Sequence, residues 1–130
     1  MNIIQYLGMP YDIHGEIGVN CWTLYSLIKK QEQGIDVVTF KPKVPNAKGI
    51  ENEFINALET GSHNHFRVNQ PQDFDLVLMT KQTKKRKIYH CGVFFKGDII
   101  HARGTSRTGQ VWLQSIEELN NYNLEYWRCE

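Results

Sequence analysis

The sequence predicts an α+β domain in which helices pack on an antiparallel sheet of about five to six strands. Three observations carry this. Apolar residues recur at helical spacing in two segments before Gly61. After it, short β-branched and aromatic runs are separated by turn residues. Helices first and strands second is the order of an α+β domain. A chain of 130 residues is near the usual size of one domain, so one core over residues 1–130 is expected. A chain of this size buries roughly two thirds of its unfolded surface.

Each element has its own signal. Asn2–Leu7 can form a short helix, stopped by Gly8 and Pro10. Tyr11–Val19 reads as a glycine-containing loop. Asn20 is a good N-cap, so a helix is expected over Cys21–Gln33, with Cys21, Leu24, Leu27 and Ile28 on one face and Gly34 as the residue after its end. Residues 35–46, with Pro42 and Pro45, read as a connection. A second helix runs from Ala47 to Thr60, carrying Ile50, Phe54 and Leu58 at successive turns. Strands are expected at Phe74–Thr80, Ile88–Phe95, Ile99–Ala102 and Gln110–Leu113. A short helix over Ser115–Asn121 follows, with Ser115 as cap and Glu118 at the capping-box position. Leu124–Arg128 makes a last strand.

Composition removes several classes of function. An apolar content of 41% with 12% aromatic residues argues against disorder. With 15 basic and 14 acidic residues the net charge is +1, so nucleic-acid binding through bulk charge is not indicated. No apolar run approaches the roughly 18 residues of a membrane span. The N-terminal stretch before Ile17 has no Lys or Arg and is interrupted by Gln5, Gly8 and Pro10, unlike an export signal. Cys21, Cys91 and Cys129 form no CxxC pair, which disfavours a disulfide framework and a structural zinc site. Reduced thiols are expected, one of them available as a nucleophile.

Cys21 is the candidate. A thiol in the first turn of a helix meets the positive end of the macrodipole and unpaired N–H groups, which favour the nucleophilic thiolate. Burial as a small apolar residue is the competing explanation. His90 and His101 shift the balance. Lys96-Gly97 can serve as a two-residue hairpin loop, which pairs Phe95 with Asp98 and Gly92 with His101. His90 then shares a face with His101, diagonally across the ladder, and Gly92 leaves room for the second ring. A cysteine, a histidine to deprotonate it and a third polar group to orient that histidine follow the logic of a thiol-hydrolase triad.

The runs GMPYDIHGEIGVNCWTL, QDFDLVLM and YHCGVFFKGDIIHA resemble, in their order, the NlpC-type family of papain-like cell-wall peptidases. Within it the chain is similar to the short stand-alone versions of bacteriophage tail-assembly modules. The resemblance spans about residues 6–128. It implies a papain-like core, with the nucleophile at a helix N-terminus packed on an antiparallel sheet. It matches Cys21 to the nucleophile, His90 to the general base, His101 to the orienting residue and Tyr11 to a tyrosine that helps hold the oxyanion. The sequence departs from the family pattern at Asn20, where Asp is common, at Thr23, where Gly is frequent, and at Phe74, where Gly usually precedes Asp75. Tyr11 also stands close to Cys21 in sequence.

The implied activity is hydrolysis of peptide bonds in peptidoglycan stem peptides. The implied setting is a protein made in the bacterial cytoplasm and incorporated in a phage tail, with other tail proteins as partners. No cofactor and no metal are expected. Arg103, two residues beyond His101, is a candidate to bind a substrate carboxylate, against the alternative that it starts the GTSRTG loop and faces water. Thr23 and His14 are candidates to shape the groove. A tail structural protein with little catalysis, or a thiol amidase or acyltransferase on another substrate, are the alternatives.

Other features have plainer readings. Cys91 alternates with His90 and is expected to pack on the opposite face. Cys129 is expected to be a bystander. Lys84-Lys85-Arg86-Lys87 could bind an anionic wall polymer or another protein, but a solvated hairpin tip is the commoner case. His63 and His65 are expected in a loop without metal, having no carboxylate or cysteine at a ligand spacing.

Overall fold

The computed structural model describes residues 3–14, 18–39, 47–61, 64–103 and 109–129. Asn2, most of the proline-containing connection, His63 and the tip of the GTSRTG loop lie outside them. The two helices occupy the expected residues, α1 over Cys21–Gln33 and α2 over Ala47–Thr60. The N-terminal segment forms only a 3-10 turn at Ile3–Gln5.

Six strands follow: β1 (His65–Val68), β2 (Leu76–Gln82), β3 (Lys87–Phe95), β4 (Asp98–Arg103), β5 (Gln110–Ser115) and β6 (Asn123–Cys129). They form one sheet in the order β1-β6-β2-β3-β4-β5, and every neighbouring pair is antiparallel. The protein is thus α+β with a six-stranded antiparallel sheet.

Three differences from expectation have physical causes. β1 stands where a loop with His63 and His65 was expected, because Phe66 to Val68 find their partners in the distant β6. β2 begins at Leu76 rather than Phe74, since Phe74 has φ 76° and turns the chain into the strand. The expected helix after Ser115 shrinks to a 3-10 turn at Glu117–Leu119, because β5 continues through Ser115. The expected exchange between Ser115 and Glu118 is nevertheless made: Ser115 N–H donates to Glu118 Oε1 and Glu118 N–H to Ser115 Oγ, each at 3.2 Å.

The sheet has two unequal faces. Leu76, Leu78, Cys91, Val93, Ile100 and Ala102 point toward the helices and join Leu24, Tyr25, Ile28 and Phe54 in the main core. Val77, Met79 and Ile99 point the other way, under Leu119 and Tyr122. Buried Asp75 ties the start of β2 to β6. Its carboxylate accepts from Arg128 Nε and Nη2, both at 2.8 Å, in the two-pronged geometry that suits a guanidinium.

The outer edge of β5 is covered by the N-terminal segment. Gly8 N–H donates to Val111 O, Val111 N–H to Met9 O and Tyr11 N–H to Gly109 O. On the other side of this segment Val19 N–H donates to Pro10 O at 3.0 Å. Gly18 is required there, because a Cβ would meet Pro10 O at 2.2 Å. This close passage brings Tyr11 beside the first turn of α1. Among the described residues, no helix is long and apolar enough to cross a membrane.

Candidate active site

Asn20 builds the start of α1. Its backbone is extended, and its buried side chain accepts from Trp22 N–H at 3.0 Å and Thr23 N–H at 2.9 Å. Thr23 Oγ1 in return accepts from Asn20 N–H at 2.8 Å. This capping box draws on the second and third amides of the helix and not on that of Cys21. Asn20 Nδ2 also donates to Ile13 O, which secures the preceding loop.

The β3–β4 hairpin has the register that its loop residues imply. Phe95 pairs with Asp98 across Lys96 and Gly97, which have φ 48° and 85°. The ladder stops at Val93 and Ile100. Beyond it lies a cavity of about 220 Å³, lined from the helix side by Ile50 and Phe54 and from the other side by Met79, Leu119 and Tyr122. Cys21, His90, His101, Tyr11 and Arg103 all open onto it. His90 Nε2 and His101 Nδ1 are 3.0 Å apart, with the rings edge to face.

The electrostatics of the cavity favour a thiolate at Cys21. A hydrogen bond from Cys91 is the largest influence and lowers its pKa, burial opposes it, and the hydrogen bond and charge of His90 lower it further. The net result lies well below the ordinary thiol range. Cys91 moves the opposite way, pushed up by burial and by its contact with Cys21. His101 is held down to about 3, by burial first and by charge on His90 second, and is therefore neutral at ordinary pH. Burial, followed by the charges of Cys21 and Asp12, pushes the Tyr11 hydroxyl up to about 12, so it remains a donor.

The expected residues divide between this cavity and other places. Thr23 and His14 do not line it. Thr23 is committed to the cap and borders a separate depression with Val19, Leu27 and Val37. His14 is exposed on the turn stabilised by its N–H to Asp12 Oδ1. Arg103 lines the cavity with an exposed side chain, its Nη1 3.5 Å from Gln114 Oε1. Cys91 does pack on the face opposite His90, but that is the face α1 covers, so it meets Cys21.

Other groups also find defined surroundings. Cys129 is buried, with its sulfur 3.2 Å from the Tyr25 hydroxyl. The same hydroxyl lies 2.8 Å from His65 Nε2. The basic run is not wholly solvated. Arg86 forms an ion pair with Glu51, a buried carboxylate in the cavity wall that also accepts from Tyr89 N–H. Among the described residues, no group of three or more His, Cys, Asp and Glu side chains could hold a metal ion.

Two groups escaped the sequence reading. Glu51 lies on a helix whose polar positions carry no distinguishing signal. Gln114 Oε1 is 2.7 Å from His101 Nε2, yet the expected end of β5 at Leu113 left it out of the strand. In comparisons with known proteins, no family model and no curated protein matches the chain.

Proposed function

We propose that this protein is a thiol hydrolase with a papain-like, NlpC-type core that cleaves peptide bonds in peptidoglycan stem peptides as part of a phage tail. The observation that carries the chemistry is the 3.0 Å contact between His90 Nε2 and His101 Nδ1 in the cavity that also exposes Cys21. The substrate and the tail setting rest on the resemblance of the three sequence runs to that family.

In this reading the Cys21 sulfur attacks the scissile carbonyl. The carbonyl oxygen gains the negative charge, facing the Cys21 N–H and the Tyr11 hydroxyl. His90, having taken the thiol proton, passes it to the leaving amine as the C–N bond breaks. Water, deprotonated by His90, then attacks the thioester and releases the acid, and the proton returns to Cys21. His101 stays neutral and holds the His90 ring in place.

The apolar lining of Ile50, Phe54, Met79, Leu119 and Tyr122 favours one second reading, a thiol amidase or acyltransferase acting on a less polar acyl group. Incubation with purified peptidoglycan followed by mass spectrometry of the soluble products tests the first reading. Stem-peptide fragments are expected from the protein and not from Cys21→Ala or His90→Ala. Intact peptidoglycan, with Cys21 acylated by apolar activated esters, would support the second instead.

A further inference from the structure

We infer that Gln114 is a positioning residue that sets which nitrogens of His101 and His90 carry their protons, and so which nitrogen of His90 faces the nucleophile. This rests on the reading of Cys21, His90 and His101 as the catalytic set, and it adds a fourth member from the neighbouring strand.

Arg103 identifies which atom of the Gln114 amide faces His101. A guanidinium has donors and no acceptor. Its Nη1 lies 3.5 Å from the Gln114 side-chain oxygen, which agrees with the oxygen, and not the amide nitrogen, pointing into this corner. The same oxygen lies 2.7 Å from His101 Nε2. An oxygen acceptor at that distance requires a proton on Nε2. His101 is buried and neutral, so its other nitrogen, Nδ1, is bare. Nδ1 is 3.0 Å from His90 Nε2, which must then be the donor. His90 is left with Nδ1 as the only nitrogen able to accept the Cys21 proton. Each hydrogen bond thus dictates the next, from Gln114 through His101 and His90 to Cys21.

The groups facing His101 are consistent with this direction. His90 comes from β3, Arg103 from β4 and Gln114 from β5, while Cys21 lies beyond His90 on α1. Among the described residues, the His101 ring nitrogens meet His90 and Gln114 and no carboxylate, so a neutral amide oxygen performs the fixing. The Gln114 contact itself favours a protonated His101, but burial first and the charge of His90 second outweigh it. The imidazolium formed in the reaction is thereby kept on His90, next to the sulfur.

Two measurements that need no substrate test this. Long-range proton–nitrogen NMR of histidine-labelled protein should show His101 protonated at Nε2 and bare at Nδ1. A wild-type spectrum with the proton on His101 Nδ1 overturns the inference without any variant. Gln114→Met keeps the length and removes the acceptor. It should mix the His101 tautomers and slow alkylation of Cys21 by iodoacetamide at neutral pH by about ten-fold. Gln114→Glu retains an acceptor and should keep the proton on His101 Nε2. An unchanged tautomer and alkylation rate in Gln114→Met overturn the proposal. Absence of peptidoglycan cleavage with the tautomers as stated would instead count against the hydrolase reading alone.

Discussion

A Cβ on Gly92 would lie 3.0 Å from the Cβ of His101, and closer still to Ile99 Cγ2 and Ile100 O. The His101 ring therefore occupies its place because residue 92 has no side chain. Gly92→Ala must displace backbone or the histidine, an overpacking change that costs about 1–3 kcal/mol. Urea denaturation should show the midpoint falling, and alkylation of Cys21 should slow in the folded variant. A variant as stable and as reactive as the wild type would mean that the strands separate freely here.

Cys21 should react far ahead of the other two thiols. Its thiolate is stabilised by Cys91 and His90, whereas Cys91 is pushed in the opposite direction. At pH 6–7, where an ordinary thiol near pKa 8.5 is mostly protonated, limited iodoacetamide treatment and peptide mass spectrometry should find the label on Cys21. Preferential labelling of Cys91 or Cys129 would remove Cys21 as the nucleophile.

Stability should fall as the solution is acidified through the range set by His101. Its pKa is about 3 in the fold against 6.5 for an unperturbed histidine. Between those values the unfolded chain binds the proton and the folded chain does not, so stability rises with pH there and the slope vanishes above it. Urea midpoints at pH 7 and pH 5 should differ more for the wild type than for His101→Gln. Equal differences would show that His101 protonates as readily in the fold as outside it.

Arg103→Ala tests the substrate's charge. If its guanidinium binds a stem-peptide carboxylate, kcat/KM should fall by about one to two decades, as loss of roughly 1.5–3 kcal/mol implies. The loss should disappear on a peptide whose carboxylate is amidated. An equal loss on both peptides would place the effect in the Gln114 contact, and no loss would remove Arg103 from binding.

The parts of the site that follow from local chemistry are legible from the residues alone. Asn20 before an amphipathic run places Cys21 in the first turn of α1, and Lys96-Gly97 admits a two-residue hairpin whose register sets His90 against His101. What escapes depends on distant chain. β1 is four residues long, with Phe66 and Arg67 both exposed, so it lacks the alternation that marks a strand, and its partner lies in β6. Gln114 becomes visible only once the β4–β5 register is known. The intervening GTSRTG loop contains no turn signal that specifies it, whereas Ile99 opposite Gln114 puts that side chain diagonal to His101. Thr23 and His14 lie near the nucleophile in sequence but do not line its cavity: Thr23 is held in the capping box and His14 is exposed on the preceding turn.

The position of β6 between β1 and β2 governs when the sheet can assemble. During synthesis β2, β3, β4 and β5 emerge as a run of sequential neighbours able to pair as they appear. β1 emerges before them and must wait, without a strand beside it, until residues 123–129 have left the ribosome. The Asp75 carboxylate waits equally long for Arg128. A nascent chain halted before β6 would thus display the edge of β2 that pairs with β6 and an unclaimed β1, two surfaces that the last strand normally covers in a single step.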